Sequence, residues 1–330
     1  MRQLQTLSYS GLSLWESRPD EFYLTRLSDR RPPHTLQERP AAVGSSFDAI
    51  TKATLHAALF GINSDPKYSL EALFEAQVEP QNRDWALPEG RYAFDCYRES
   101  GFYKELLITL LSSKEPPRFE FTVEATLNGV PFLGKPDARW ITPEGVHIIH
   151  DWKVNGFCSK NTTSPHKSYM LCKDGYTADK QSKSHNTEHK EFLACQHFDV
   201  VTNASYMEAS NTAWADQLTL YGWALGENIG DENVVLSIHQ LVAKPIIGQR
   251  PQLRVAAYRA RVQAEYQEKL AARLKNCWDS ITSGYVFPSM SREDSDARCA
   301  VLDDTAAGLQ SDGSSLDNYF SECTREGYRG

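Results

Sequence analysis

Long apolar runs are missing from this chain. Nowhere do the roughly 20 consecutive apolar residues of a membrane-spanning helix occur. The opening stretch, Met-Arg-Gln-Leu-Gln-Thr-Leu, lacks the extended apolar core of a secretion signal. Cysteine is sparse: the seven in 330 residues are irregularly spaced and include no CxxC pair. That excludes a disulfide framework and points to a reducing compartment, with the cytoplasm as the expected location. Basic residues are outnumbered, 35 Lys and Arg against 43 Asp and Glu, for a net charge of −8. A uniformly basic, nucleic-acid-coating surface is therefore excluded. Internal repeats are absent. What remains, with 41% apolar and 24% charged residues, is the composition of an ordinary globular protein long enough to bury a sizeable core.

Within that composition the hydrophobic spacing alternates between helical and strand periods. Residues 8–28 and 44–60 read as helices, with an Arg/Pro-rich loop over 29–40. Helical segments interrupted by Pro, Gly and Asn fill 68–112, and Pro116-Pro117 ends them. Over 118–127, Phe119, Phe121, Val123, Ala125 and Leu127 alternate with Glu120, Thr122, Glu124 and Thr126, the pattern of a half-buried strand. Asn128-Gly129 is a strong hairpin signal. Two further strands, 130–141 and 146–154, flank Pro143-Glu144-Gly145. A polar insert over about 155–200 comes next, then a helix over 205–228, strands over 233–243 and 252–262, and a helix over 263–282. The expectation is one α/β domain over 1–288, a mixed central sheet flanked by helices, and an acidic, flexible tail over 289–330.

The register of these strands gathers charge. A tight turn centred on Glu144 sets Asp137 opposite Asp151, where paired side chains stand about 4.5–5.5 Å apart at Cβ and like charges repel. A hard divalent cation held between them removes the repulsion, since Mg²⁺ binds through one or two carboxylates plus substrate phosphate. Lys153 shares the face of Asp151, and Trp152 points to the other. If Asn128-Gly129 closes a two-residue turn, Leu127 pairs with Val130 and Glu120 lands opposite Asp137, with Glu124 one step along. Glu120, Glu124, Asp137, Asp151 and Lys153 then share one face, and Phe119, Phe121, Val123, Phe132, Trp140, Ile148 and Trp152 fill the other.

Pro136-Asp137 with Asp151-x-Lys153 resembles the signature of the PD-(D/E)xK nuclease superfamily, in particular its RecB-type and phage-exonuclease branch. Gln217-x-x-x-Tyr221 is similar to the QxxxY helix of that branch, and i,i+4 spacing puts both side chains on one helix face. The resemblance covers roughly residues 40–290 and implies a restriction-endonuclease-like core. It further implies a Mg²⁺- or Mn²⁺-dependent DNA nuclease. Asp137 and Asp151 become metal ligands, with Lys153 orienting water or steadying phosphate charge and Glu124 a further catalytic candidate. Gln217 and Tyr221 become DNA contacts. In the branch an upstream helix adds a metal ligand, a His four residues after a Gly; here the stretch is Gly44-Ser-Ser-Phe-Asp48, with Asp48 in its place. The Cys pattern of the branch's iron–sulfur proteins is not matched, because Arg18 precedes Pro19 and Cys277, Cys299 and Cys323 lie far apart, so no cluster is expected. The resemblance favours an exonuclease of recombination, repair or genome processing, in the host cytoplasm if phage-encoded. A structure-selective or nicking endonuclease is the alternative. A catalytically weak DNA-binding subunit is another, opposed by the intact Asp137, Asp151 and Lys153.

Charge is unevenly spread. Residues 153–190 hold seven Lys against three acids, while 289–330 hold nine acids against four Arg. Lys160, Lys167 and Lys173 are thus candidate phosphate contacts, with a solvated loop as the alternative. His185-x-x-x-His189 has helical metal-ligand spacing, yet ordinary polar-loop His and Cys is the better reading. In the tail, Leu316, Tyr319 and Phe320 form an isolated apolar group. It either docks on the chain itself or reaches a recombination or replication protein.

Overall fold

The computed structural model of the chain describes residues 2–29, 36–155, 171–173, 195–199, 204–208, 212–246, 249–284 and 300. They fall into two compact units, Glu38–Lys275 and Met1–Gln37 with Asn276–Gly330. Among the described residues no helix is long and apolar enough to cross a membrane.

In the smaller unit, helix α1 (Tyr9–Ser17) is capped by Ser8, whose Oγ accepts from Gly11 N at 3.2 Å. Helix α2 (Pro19–Phe22) runs into a π turn at Tyr23–Leu27. Leu12, Phe22, Leu24 and Leu27 are buried. Burial and the neighbouring Glu16 push the Cys277 thiol up to about 12, so this cysteine is a packing residue rather than a nucleophile.

The larger unit opens with helix α3, which spans Arg39–Phe60 rather than beginning at 44. Pro40 lies in its first turn, where the missing N–H has no intrahelical partner to lose. Helices α4 (Leu70–Gln77), α5 (Arg83–Glu99) and α6 (Phe102–Leu111) come after it. At Gly90, an added Cβ would stand 2.2 Å from Ser46 Oγ and 2.8 Å from Phe47 N, so α5 lies backbone-close to α3 only because that residue is glycine.

The two long strands expected after the helices are each broken, giving β1 (Arg118–Phe119), β2 (Val123–Leu127), β3 (Val130–Gly134) and β4 (Ala138–Ile141). Asn128 and Gly129 both have positive φ, 50° and 79°, the two-residue hairpin turn the sequence signalled. Leu127 pairs with Val130 as expected. The register is kept across the break, with Val123 opposite Gly134 and Phe119 opposite Ala138. Pairing is lost between, where Glu120 takes φ +36°. So β2–β3 leaves as a separate hairpin, and β1 and β4 stay in the main sheet.

That sheet has the order β1-β4-β5-β9-β10-β7-β8-β6, with β5 (His147–Asn155), β6 (Leu171–Lys173), β7 (Cys195–Asp199), β8 (Ala204–Glu208), β9 (Val234–Ile246) and β10 (Gln249–Val262). Residues 204–208, expected to begin a helix, instead pair with β7. Among the described strands only β5 and β9 pair in parallel, and a parallel pair requires a crossover. Helix α7 (Thr212–Ala224) supplies it, and helix α8 (Ala264–Thr282) comes after β10. The fold is thus mixed α/β, a mixed central sheet flanked by helices.

One face of the sheet packs Phe119, Trp140, Ile148 and Trp152 against Phe47 and Ile50 of α3, Phe94 and Tyr97 of α5, and Leu106 and Leu110 of α6. Beneath them lie two buried histidines. His150 Nδ1 meets Ser237 Oγ at 3.0 Å and His239 Nδ1 meets Tyr97 Oη at 2.5 Å. Burial keeps both neutral, His239 lowered to about 3 and His150 well below its usual value. Helix α7 also packs closely on β3 of the separate hairpin: a Cβ on Gly134 would meet the Tyr221 ring at 2.8 Å. Asp216 anchors α7 to α8, accepting from Tyr266 Oη at 2.5 Å and Arg273 Nη1 at 2.9 Å.

Candidate functional site

The β4–β5 ladder ends at Ala138 opposite His150, so Asp137 and Asp151 form the next step of the same register. Asp137 leaves the ladder there, and its Oδ2 accepts from Trp152 N at 3.2 Å. Asp151 is 4% exposed. Burial, then the charge of Asp137, push it up to about 8. Burial also works to raise Asp137, but the Lys52 ammonium, a hydrogen bond from Asp151 and the charge of Lys153 outweigh it and hold Asp137 below the usual range. Of the two carboxyls Asp151 is thus the one that takes up a proton more readily and Asp137 the one that stays ionised.

Lys153 completes this half of the site, with Nζ 2.5 Å from Asp151 Oδ2. Burial opposes its charge, yet Asp151 more than compensates and its pKa is raised. The ammonium also donates to Gln217 Oε1 at 3.0 Å, and Gln217 Nε2 donates to Tyr221 Oη at 3.1 Å. Gln217 and Tyr221, expected to face DNA, are turned toward Lys153 instead, and Tyr221 is buried. The i,i+4 pair on the crossover helix thus forms a hydrogen-bonded chain that ends on the lysine.

The other half hangs on α3. Lys52, 2% exposed, places Nζ 2.6 Å from Asp48 Oδ2, 2.7 Å from Glu120 Oε2 and 3.0 Å from Asp137 Oδ1. Asp48 is raised to about 7, by burial against the pull of Lys52, and Lys52 is held well above its usual value by the three acids despite burial. Asp48 Oδ1, shielded from solvent, has no hydrogen-bond partner. Glu120 Oε2 accepts a second bond, from Gln77 Nε2 at 2.6 Å, while its backbone oxygen takes Lys67 Nζ at 3.3 Å. Asp137 links the halves, one oxygen toward Lys52 and the other toward β5.

Glu124 does not join them. It is exposed on β2, because the ladder break at Glu120 carries the hairpin away from the main sheet. Glu120 takes the place nearest Asp137, its N donating to Asp137 O at 3.1 Å. Lys160 and Lys167 lie outside the described residues, as do the tail cluster and His185 and His189; Lys173 is described only as the last residue of β6. Sequence reasoning passed over Lys52, although its i,i+4 spacing from Asp48 marks a shared helix face. Gln77 carried no local signal.

Hard carboxylate oxygens suit Mg²⁺ or Mn²⁺. Asp137 and Asp151 stand at one step of the register, where the charge of one raises the pKa of the other, and a divalent cation relieves that repulsion, so this donor set fits such an ion. Among the described residues no group of three or more acidic, His or Cys side chains is arranged to hold a metal ion by itself. In the α3 half an ammonium stands at the point of convergence.

No protein-family profile matches the chain. No curated protein matches it. Among solved structures it is similar to a crystal structure from Eubacterium rectale of a protein named as a candidate exonuclease, with a TM-score of 0.43 and 14% identity over 89% of this chain and 92% of that one. That likeness is too distant to carry function across.

Proposed function

We propose that the chain is a divalent-metal-dependent DNA nuclease, with Asp137 and Asp151 as metal ligands and Lys153 as the residue that meets the scissile phosphate or the attacking water. The observation that carries this reading is the placing of Asp137 and the buried Asp151 at one step of the β4–β5 register, with the Lys153 ammonium 2.5 Å from Asp151. Bound Mg²⁺ or Mn²⁺ supplies an acidified water and charge neutralisation at phosphate oxygens. The chain's own residues do the positioning. Trp152 N fixes one oxygen of Asp137, Gln217 and Tyr221 hold Lys153 on the side of α7, and Asp216 fixes α7 to α8. A lysine so held keeps its charge and direction while a phosphate approaches, which is the preorganisation that stabilises developing negative charge.

The finer reading, an exonuclease of recombination or repair, rests on the Pro136-Asp137, Asp151-x-Lys153 and Gln217-x-x-x-Tyr221 set. End-labelled linear DNA and closed circular DNA, each incubated with the protein in Mg²⁺ and in chelator, test both levels. Loss of only the linear form, and only with metal, is the expected result. Nicking of the circle converts the reading to an endonuclease. No cleavage of either in Mg²⁺ or Mn²⁺ overturns it.

A further inference from the structure

We infer that Lys52 is a resident cation of the active site, occupying with its ammonium the place a second divalent ion takes in two-metal phosphodiesterases. The inference rests on the metal-dependent reading above.

Lys52 lies on the helix opposite β5, is 2% exposed, and meets three separate carboxylates at 2.6, 2.7 and 3.0 Å. Surface lysines do not behave this way: a long, strongly hydrated ammonium is placed out of water only where fixed negative charge replaces its hydration. The three acids come from three elements: Asp48 from α3, Glu120 from the ladder break and Asp137 from the step before β4. Glu120 is held there in a left-handed conformation, φ +36°, which a non-glycine residue adopts only under local constraint. Gln77 and Lys67 brace it from side chain and backbone. So three acids are built around one monovalent point charge, and Asp137 shares its second oxygen with the β5 side.

In two-metal sites one ion serves the attacking oxygen and the other the leaving oxygen. Here the ammonium neutralises the α3 half, leaving the Asp137–Asp151 half for one exchangeable ion. Asp48 and Glu120 then hold Lys52 rather than metal.

The test is the number of Mn²⁺ ions bound per chain, measured by electron paramagnetic resonance on the full-length protein. Wild type is expected to bind one ion. Lys52→Met, which keeps the stem and removes the charge, is expected to bind two, because Asp48, Glu120 and Asp137 lose their resident cation. Asp48→Asn is expected to leave the single wild-type affinity within about threefold, whereas loss of a true ligand or of its supporting partner costs roughly 10–100-fold. Two ions on wild type, or one on Lys52→Met, overturns the role of Lys52 and leaves the nuclease reading standing. No ion on wild type overturns the reading itself. Should Lys52→Met fail to fold, the wild-type count still decides between one exchangeable ion and two.

Discussion

Asp151 carries opposite loads in folding and in chemistry. Its folded pKa, raised to about 8 by burial and Asp137, lies above its unfolded value. Between the two values the unfolded chain has released a proton that the folded chain keeps. Metal-stripped protein therefore loses stability from this group as pH rises from about 4 toward 8, and the loss is complete above the folded pKa. Asp151→Asn removes it. The variant is expected to lose cleavage, and at pH 7 in chelator to melt roughly 2–4 °C higher, which about 1 kcal/mol gives in a domain of this size. A cleavage assay checks the first arm and calorimetry in chelator the second; a lower melting temperature, or retained activity, contradicts the assignment. Gln217 belongs to the same scale. As an acceptor for Lys153, its change to Ala is expected to lower kcat roughly 10–100-fold, in the range for groups that orient an active residue. Tyr221→Phe, one bond further out, is expected to cost less. A rise confined to KM in steady-state kinetics would return both residues to the DNA-facing role expected from sequence.

At the level of elements, local rules were legible in the sequence and the consequences of packing were not. The Asn128-Gly129 turn, the pairing of Leu127 with Val130 and the continuity from Asp137 to Asp151 could be read because turn chemistry and the two-residue strand period fix them. The break at Glu120 could not, because alternation of Phe119, Phe121 and Val123 runs straight through it. The strand at 204–208 was missed because its reason is pairing with β7, a tertiary partner. The QxxxY face was legible as a face, but its target, Lys153, depends on how α7 crosses the sheet. That crossing hinges on Gly134. A Cβ there would meet Tyr221 at 2.8 Å, so Gly134→Ala is expected to cost about 1–3 kcal/mol by overpacking and to lower kcat by displacing Tyr221 and Gln217. Urea denaturation and kinetics read the two effects, and normal kcat in a folded variant would separate the crossing from the chemistry. The paired strands β5 and β9 give a second prediction. His150 and His239 are neutral when folded, with values below the usual His range. The unfolded chain takes up protons below about 6.5 that the folded core refuses. Stability is therefore lost as pH falls below that value, by about 1.4 kcal/mol per pH unit for each histidine. His239→Gln should roughly halve that slope in urea titrations between pH 6 and 4; an unchanged slope would mean that other groups govern acid unfolding.

At the level of the whole molecule, the proposed function requires an acidic chain with a net charge of −8 to bind a polyanion through local rather than summed charge. A divalent ion at Asp137 and Asp151 would neutralise only the phosphate being cleaved, and Lys52 is enclosed by its own three acids. Attraction over the rest of a DNA strand therefore needs another source. The densest one in sequence is 153–190, with seven Lys against three acids. It begins within β5, the strand that carries Asp151 and Lys153. Each lysine that reaches a phosphate adds about 0.9 to the slope of log K against log salt for duplex DNA, and about 0.7 for single strands. Neutralising Lys160, Lys167, Lys173 and Lys183 together is therefore expected to flatten the slope by as much as roughly 3.6 on duplex DNA if all four make contact. Fluorescence anisotropy over a salt series in Ca²⁺, which occupies carboxylate sites without requiring turnover, measures it. The melting temperature of the same variant, measured alongside, serves as the control for folding. An unchanged slope with weakened cleavage would place the lysines in catalysis. An unchanged slope with normal cleavage would assign them to solvent and move the search for DNA contacts to exposed cations near Glu120 such as Lys67.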